Sequence, residues 1–143
     1  MGTNSNFTIA VHILTLITHH ARPLSSSFIA GSVNTNPVTI RKLVSELKNV
    51  QLVRTIPGSK GGTVLAKSPQ EITLKQVYDI FKDETLFGLY PDDPNPQCIV
   101  GRNLQFVLLG LFDDAELLLS TFLGKITLAD MRDAVIKRDK EPS

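Results

Sequence analysis

The chain has 143 residues, 42% of them hydrophobic, which is enough to bury the core of one ordinary domain. Its formal net charge of +1 indicates no particular partner, and its single cysteine, Cys98, excludes both an internal disulfide and an all-cysteine metal cage within one chain. No apolar run reaches the roughly 18 residues needed to span a bilayer, and no basic flank precedes a hydrophobic stretch at the N-terminus, so we expect a soluble, cytoplasmic protein.

The charges are distributed unevenly along the chain. Residues 36–67 contain six basic side chains and one acidic one, whereas residues 68–143 contain 8 basic and 13 acidic ones. A basic segment beside an acidic remainder is the pattern expected of a protein that contacts phosphate through one region only. On charge alone, a solvated surface on which basic residues happen to cluster is an equally good interpretation.

Two helices are predicted near the N-terminus. Apolar residues at helical spacing predict the first over residues 5–20. Ser26 or Ser27 can cap a short second helix that runs through Ala30, because a serine hydroxyl accepts a hydrogen bond from a free N–H group of the first turn. Residues 33–36 are then expected to form a tight polar turn.

The third predicted helix has the pattern of a DNA-recognition helix. Asn36 can cap its free N–H groups, and Pro37 gives up a donor that has no helical partner at that position. Its apolar stripe consists of Ile40, Leu43, Val44 and Leu47. Two short helices, a turn and a third helix with a basic outer face are typical of a helix-turn-helix, although an ordinary amphipathic helix is the commoner structure. The candidate DNA contacts on it are Asn36, Val38, Thr39, Arg41 and Lys42.

A β-hairpin is predicted directly after the third helix. Residues 52–56 and 63–66 read as strands, and residues 57–62 form a loop between them. The glycine-rich tip lets the backbone approach a phosphate or enter a narrow groove. It is not a P-loop, because the strand–loop–helix order and the Gly-Lys-Ser/Thr ending are absent. A helix-turn-helix followed at once by a basic hairpin indicates the winged variant.

The second half of the chain is predicted to be helical. Thr73 and Gln76 form a capping box that opens a fourth helix, and the prolines of residues 91–97 exclude a helix there. A long helix is predicted over residues 101–123, and a last helix begins after Thr127.

The long helix carries a stripe of apolar side chains that is wider than one small winged domain can cover, so we expect a second chain to cover it. This stripe contains Leu104, Val107, Leu108, Leu111, Ala115, Leu118, Leu119 and Phe122, and it is broadened by Phe106, Leu109, Phe112 and Leu117. The predicted fold is mainly α with a small β-hairpin wing. We predict a winged helix-turn-helix DNA-binding domain over residues 1–82 and a helical dimerisation region over residues 83–143.

Several short motifs, taken in order and spacing, resemble the Rrf2 family of bacterial winged-helix transcriptional regulators. They are Phe28-Ile29-Ala30, Leu43-Val44-Ser45-Glu46-Leu47, Leu52-Val53-Arg54, Gly61-Gly62, Leu65-Ala66, Ile72-Thr73-Leu74 and Ile126-Thr127-Leu128-Ala129-Asp130. The resemblance extends from about residue 7 to residue 135. It implies a homodimer held by the long helix, with each third helix in the major groove of double-stranded DNA and each wing toward the minor groove.

Two departures from the family pattern bear on function. Cluster-binding members carry three cysteines, whereas this chain has only Cys98, and an iron–sulfur cluster normally needs three or four protein ligands. We therefore expect no cluster, no other cofactor and no metal. Many members also place an arginine just before the wing glycine, where this chain has Pro57. Wing contacts with DNA are then expected from Arg54, Ser59, Lys60 and the backbone, including Gly61.

Individual roles follow from these positions. Arg41 is the candidate for a bidentate contact with guanine, and Thr39 and Lys42 are candidate phosphate contacts. Cys98 is either a small buried hydrophobe, the interpretation that we favour, or a redox or ligand-sensing residue, with Arg102 as the only nearby positive charge.

No arrangement of residues indicates an enzyme, since neither a Ser–His–Asp nor a Cys–His constellation can be argued from the sequence. We predict a DNA-binding regulator, a repressor, that binds an inverted-repeat operator as a homodimer and responds to a small-molecule or protein effector. The alternative is a winged-helix adaptor that binds another protein and has no sequence-specific affinity for DNA.

Overall fold

Residues 5–142 are described by a computed structural model, in which six helices and one β-hairpin follow one another. The helices are α1 (Asn6–His20), α2 (Ser26–Val33), α3 (Pro37–Asn49), α4 (Leu74–Phe81), α5 (Ile99–Leu123) and α6 (Leu128–Asp139). The hairpin consists of β1 (Val53–Ile56) and β2 (Gly62–Leu65), which pair antiparallel with Val53 opposite Leu65 and Ile56 opposite Gly62. The predicted fold class, mainly helical with a small hairpin wing, is confirmed.

The second helix is longer than its sequence signals predict. Its N-cap is Ser25, whose hydroxyl accepts a hydrogen bond from the N–H of Phe28 at 3.1 Å. The prediction that Ser26 or Ser27 caps this helix is therefore wrong; both lie in its first turn, because Ser25 takes the extended backbone that a cap requires. The helix also continues to Val33 and ends where Asn34 adopts a left-handed backbone with φ of 64°, so the polar turn is shorter than predicted.

The other boundaries differ from the predictions by at most two residues. The long helix begins at Ile99 rather than at residue 101, because a turn closed by the Gln97 N–H and the Asn95 side chain at 2.9 Å ends immediately before it. Residues 91–97 are not helical, as their prolines predict. The capping box of Thr73 is present, with its hydroxyl bonded to the first turn of α4.

The core lies between α1 and the elements packed around it. Every α1 residue that points inward is apolar apart from Thr18, whose hydroxyl donates to the Leu14 carbonyl at 2.7 Å and is thereby satisfied. The fully buried large side chains are Ile13, Leu14, Leu24, Ile29, Ile40, Leu47, Leu52, Val53, Ile72, Val77 and Leu128. They come from α1, α2, α3, β1, α4 and α6 or from the segments beside these elements, so one core holds the helix-turn-helix and the hairpin together.

The last helix returns to this core. The Leu128 N–H donates to the Ile72 carbonyl and the Leu74 N–H to the Ile126 carbonyl, each at 2.9 Å, so the starts of α4 and α6 are bridged side by side. Leu128 is fully buried as a result. Although α6 lies at the far end of the sequence, it packs against α1.

The long helix α5 contacts the rest of the chain along one side only. Lys82, just after α4, forms a salt bridge with Glu116 of α5 at 3.0 Å, and this hydrogen bond raises the pKa of the Lys82 ammonium group above its ordinary value. The rings of Phe87 and Phe112 lie 5.1 Å apart on the same side. Despite its length and apolar composition, neither α5 nor any other helix within residues 5–142 meets the requirements for a membrane span.

Candidate nucleic-acid interface

The start of α3 is built by local hydrogen bonding. The Asn36 side-chain oxygen accepts a hydrogen bond from the Val38 N–H at 2.8 Å, and Pro37 occupies the first helical position. This is the cap that the sequence predicts. The Asn36 side-chain oxygen is thereby engaged within the protein, while its amide group can donate to a ligand.

Helix α3 separates an apolar face from a basic one. The predicted stripe of Ile40, Leu43, Val44 and Leu47 is buried. On the opposite side Arg41 and Lys42 are exposed, and neither forms a salt bridge with any residue between 5 and 142. Val38, one turn earlier, is 62% exposed, so its methyl groups are accessible to a partner. Thr39 is half-buried at the edge of this face.

The hairpin carries the remaining predicted contacts. Arg54 is exposed on β1, opposite Val64 of β2, and Ser59 and Lys60 are exposed in the loop. The Gly61 N–H donates to the Gly58 carbonyl at 3.0 Å, so this amide is engaged in the loop itself. The exposed Ser59 and Lys60 side chains are therefore donors that the tip offers, and the Gly61 amide is not.

Gly61 and Gly62 are required by the hairpin's own packing. A Cβ atom at Gly61 would collide with the Ile56 carbonyl oxygen, and one at Gly62 would come within 2.5 Å of the Leu24 carbonyl oxygen. Gly62 also has a φ of +146°, a conformation that side-chain-bearing residues rarely adopt. Access of DNA to the backbone is thus not the only reason for glycine at the tip.

The approach of Gly62 to Leu24 reflects a single-residue β-bridge between Leu24 and Thr63 that sequence reasoning missed. The Leu24 N–H donates to the Thr63 carbonyl at 3.1 Å, and the Thr63 N–H donates to the Leu24 carbonyl at 2.8 Å. The connection between α1 and α2 is thereby hydrogen-bonded to the wing. A single paired residue has no sequence signature of its own, since strand patterns need several alternating positions.

Cys98 lies apart from this surface, at the start of α5. It is the N-cap residue of the helix and its side chain is exposed in the single chain, so the expectation that it is buried is wrong there. Its carbonyl accepts a hydrogen bond from the Arg102 N–H at 3.0 Å, while the Arg102 guanidinium donates to the Pro96 carbonyl at 3.4 Å. Arg102 is therefore adjacent to Cys98, but its guanidinium forms its hydrogen bond with the backbone of Pro96.

The apolar stripe predicted for α5 divides into two faces. Leu108, Ala115 and Leu119 are half-buried against the same chain. The other face is exposed and consists of Val100, Leu104, Val107, Leu111, Leu118 and Phe122. These six positions follow one another at intervals of four, three, four, seven and four residues, which places them in one line along the helix.

Comparison with known proteins agrees with this arrangement. Residues 3–134 match the model of the Rrf2 family, described as iron-dependent transcriptional regulators. YwnA of Bacillus subtilis (strain 168), a protein assigned as an HTH-type transcriptional regulator, is 37% identical over 129 residues, which cover 90% of this chain and 95% of YwnA.

Solved structures show the same fold. T. potens IscR superposes with a TM-score of 0.74 at 17% identity, covering 100% of this chain and 94% of IscR. CymR, the global cysteine regulator of B. subtilis, superposes with a TM-score of 0.63 at 23% identity, covering 94% of this chain and 98% of CymR.

The iron in the family's description is not matched by the donor atoms of this chain. Iron–sulfur clusters are held chiefly by several cysteine thiolates, and the sequence has one cysteine. Within residues 5–142, no three histidine, cysteine, aspartate or glutamate side chains are grouped so that they could hold a metal ion. The residues present do not fit a cluster of that kind.

The matched region includes α3, the hairpin and most of the C-terminal helices. The match covers nearly the whole chain, and the related proteins regulate transcription rather than catalyse reactions. The chain therefore belongs to the Rrf2 family and is a DNA-binding transcriptional regulator with a winged helix-turn-helix fold.

Proposed function

We propose that this protein is a repressor that binds an inverted-repeat operator as a homodimer in the cytoplasm. The observation that carries the proposal is the exposed face of α3, where Arg41 and Lys42 lack ion-pair partners within residues 5–142. Exposed cations that form no salt bridge within the protein are suited to DNA, because each can bind an acceptor on a base edge or a phosphate.

Within this proposal α3 reads bases. Arg41 makes a bidentate contact with guanine in the major groove, and Thr39 and Lys42 hold adjacent phosphates. The exposed Val38 methyl groups fit an apolar contact with the methyl group of thymine. Asn36, whose carbonyl oxygen caps the helix, contributes its remaining amide donors.

The wing anchors the protein to the backbone of the duplex. Ser59 and Lys60 at its tip point to phosphates that flank the minor groove, and Arg54 contacts the backbone from β1. Gly61 contributes through its shape, since its N–H is used in the loop. These contacts add affinity for any sequence, so the wing strengthens binding without selecting the operator.

The exposed face of α5 supports the homodimer. Its six aligned apolar side chains would remain in water in a single chain, and a second copy of α5 offers a matching stripe. Two-fold pairing places two copies of α3 on half-sites about 34 Å apart, or a multiple of that. We accordingly assign DNA contacts to residues 1–82 and dimer contacts to residues 83–143, with α6 packed back on α1.

Regulation by an effector fits this architecture. A small molecule or partner protein changes the affinity for DNA only if it binds two conformations of the dimer with different affinities. The junction between α4 and α5 and the bridge between α4 and α6 connect the dimer helix to the DNA-binding core. Cys98 is a further candidate for sensing because its thiol is exposed in the single chain.

Selection of bound fragments from sheared genomic DNA by the purified protein tests the proposal. We expect recovery of a sequence with two-fold symmetry, a mass of two chains by light scattering, and increased expression of a reporter under that sequence when the regulator is deleted. Absence of binding to duplex DNA would contradict the proposed function, and an affinity that does not depend on salt would contradict the proposed phosphate contacts. A single-chain mass at micromolar concentration would contradict the dimer.

A further inference from the structure

We propose that Arg22, in the connection between α1 and α2, is a phosphate-binding residue of the DNA interface, held in place by Phe28. The inference rests on the proposed function and extends its DNA surface beyond α3 and the hairpin. Arg22 lies outside the basic segment 36–67 that the charge pattern singles out, so its role depends on the fold.

The guanidinium of Arg22 lies over an aromatic ring of α2. Its central carbon lies 5.0 Å from the centre of the Phe28 ring, and the His20 ring approaches the same ring edge-on at 5.2 Å. Phe28 is 42% exposed and lies on α2, so it serves as a platform at the surface and is not part of the core. Stacking of this kind orders the arginine while its N–H groups remain free to donate.

Few of those donors are used inside the protein. Arg22 is exposed, and its recorded hydrogen bond is a long one of 3.4 Å to the adjacent Pro23 carbonyl. No acidic residue precedes Glu46 in the sequence, so the first part of the helix-turn-helix has no carboxylate to neutralise it. An ordered guanidinium with free N–H groups is the typical partner of a phosphate.

Arg22 is also adjacent to the wing. Leu24, two residues later, is paired with Thr63 of β2 by two backbone hydrogen bonds. Arg22 and Lys67, just beyond β2, line one shallow cavity of about 280 Å³ whose walls contain no acidic side chain. The connection before α2 and the base of the wing therefore present two cations together, and a duplex that engages the wing passes beside them.

The stack with Phe28 gives Phe28 a positioning role. Replacing Phe28 by leucine removes the aromatic platform but keeps the charge of Arg22 and the apolar character of the position. The number of ionic contacts should then stay the same while the affinity decreases, because the guanidinium must be ordered on binding.

The test is the salt dependence of binding to an operator duplex recovered from genomic fragments and to an unrelated duplex of equal length. For Arg22→Ala we expect affinity for both duplexes to fall about tenfold or more. The slope of log affinity against log salt should be shallower by about 0.9 per protomer, or about 1.8 per dimer. Arg22→Lys should restore the slope but not the full affinity, and Phe28→Leu should lower affinity with the slope unchanged.

Lys125→Ala, in the turn between α5 and α6, is the matched control because it removes the same charge from an exposed position. If Arg22→Ala and Arg22→Lys behave like Lys125→Ala while Arg41→Ala loses binding, the role of Arg22 is refuted and the proposed function stands. If the unaltered protein binds neither duplex, both fail. Thermal melts of each variant identify any loss of folding, and Arg22→Lys tests the inference should Arg22→Ala fold poorly.

Discussion

Replacing Leu118 by alanine should weaken the dimer strongly. Leu118 is 74% exposed in the single chain and is the fifth of the six residues along the exposed face of α5. Burying a whole leucine side chain contributes about 1.5–3 kcal/mol, so burial of the exposed part contributes about 1–2 kcal/mol per chain. A two-fold interface contains the residue twice, which gives about 2–4 kcal/mol, or a rise of about 30- to 1000-fold in the dissociation constant of the dimer.

Sedimentation or light scattering over a dilution series measures that constant. Leu117→Ala is the matched control, because Leu117 is 68% exposed on the same helix but lies about a quarter of a turn away from the line of six aligned residues. We expect it to leave the constant within a few-fold of the original. Equal effects of the two substitutions, or a larger effect at Leu117, would refute the assignment of this face to the dimer.

Four further outcomes are expected. Arg41→Ala should weaken the free energy of binding to the operator by roughly 1–3 kcal/mol per half-site and relax base preference there, whereas Lys60→Ala should weaken binding to every sequence and reduce the salt slope by about one unit per contact. Titrations of both variants on operator and unrelated duplexes distinguish the two effects. If Lys60→Ala changed base preference and Arg41→Ala did not, the roles of α3 and the wing would be exchanged. Gly62→Ala should lower the free energy of unfolding by about 1–3 kcal/mol in denaturant melts, because its Cβ would meet the Leu24 carbonyl, while Gly88→Ala, with open space around it, should not. Ser25→Ala should lower the free energy of unfolding by about 1 kcal/mol in the same assay, because it removes the cap of α2. An unchanged free energy of unfolding would mean that the cap is not formed. Protein purified without oxygen should be colourless and free of stoichiometric iron, and a brown protein would refute the absence of a cluster.

Features that depend only on residues close together in the sequence could be predicted. The cap of α3 needs only Asn36 and the proline after it, and the capping box of α4 needs only two residues three apart. The buried stripe of α3 follows from helical spacing alone. Each of these signals acts within one or two helical turns, so no knowledge of the tertiary fold is required.

Features that depend on distant residues could not be predicted. Pairing of Leu24 with Thr63 joins positions 39 residues apart and includes one residue of the α1–α2 connection. Residues 25, 26 and 27 are all serine, so residue type does not identify the cap of α2. Ser25 is the cap because its backbone is extended where the chain enters the helix. The placement of Arg22 on Phe28 has the same origin, since stacking of the two side chains is known only once the turn between the helices is known.

The return of α6 to the core has a consequence for how the protein can be divided. A fragment that ends at residue 82 would lose Leu128, which is fully buried, and would leave the Ile72 carbonyl and the Leu74 N–H without the backbone partners that α6 and the residues before it provide. The core that holds the helix-turn-helix and the hairpin together is thus completed by α6, so it can form fully only after α6 has been synthesised. Ribosome-bound chains that stop before α6 should accordingly be more sensitive to protease than released ones.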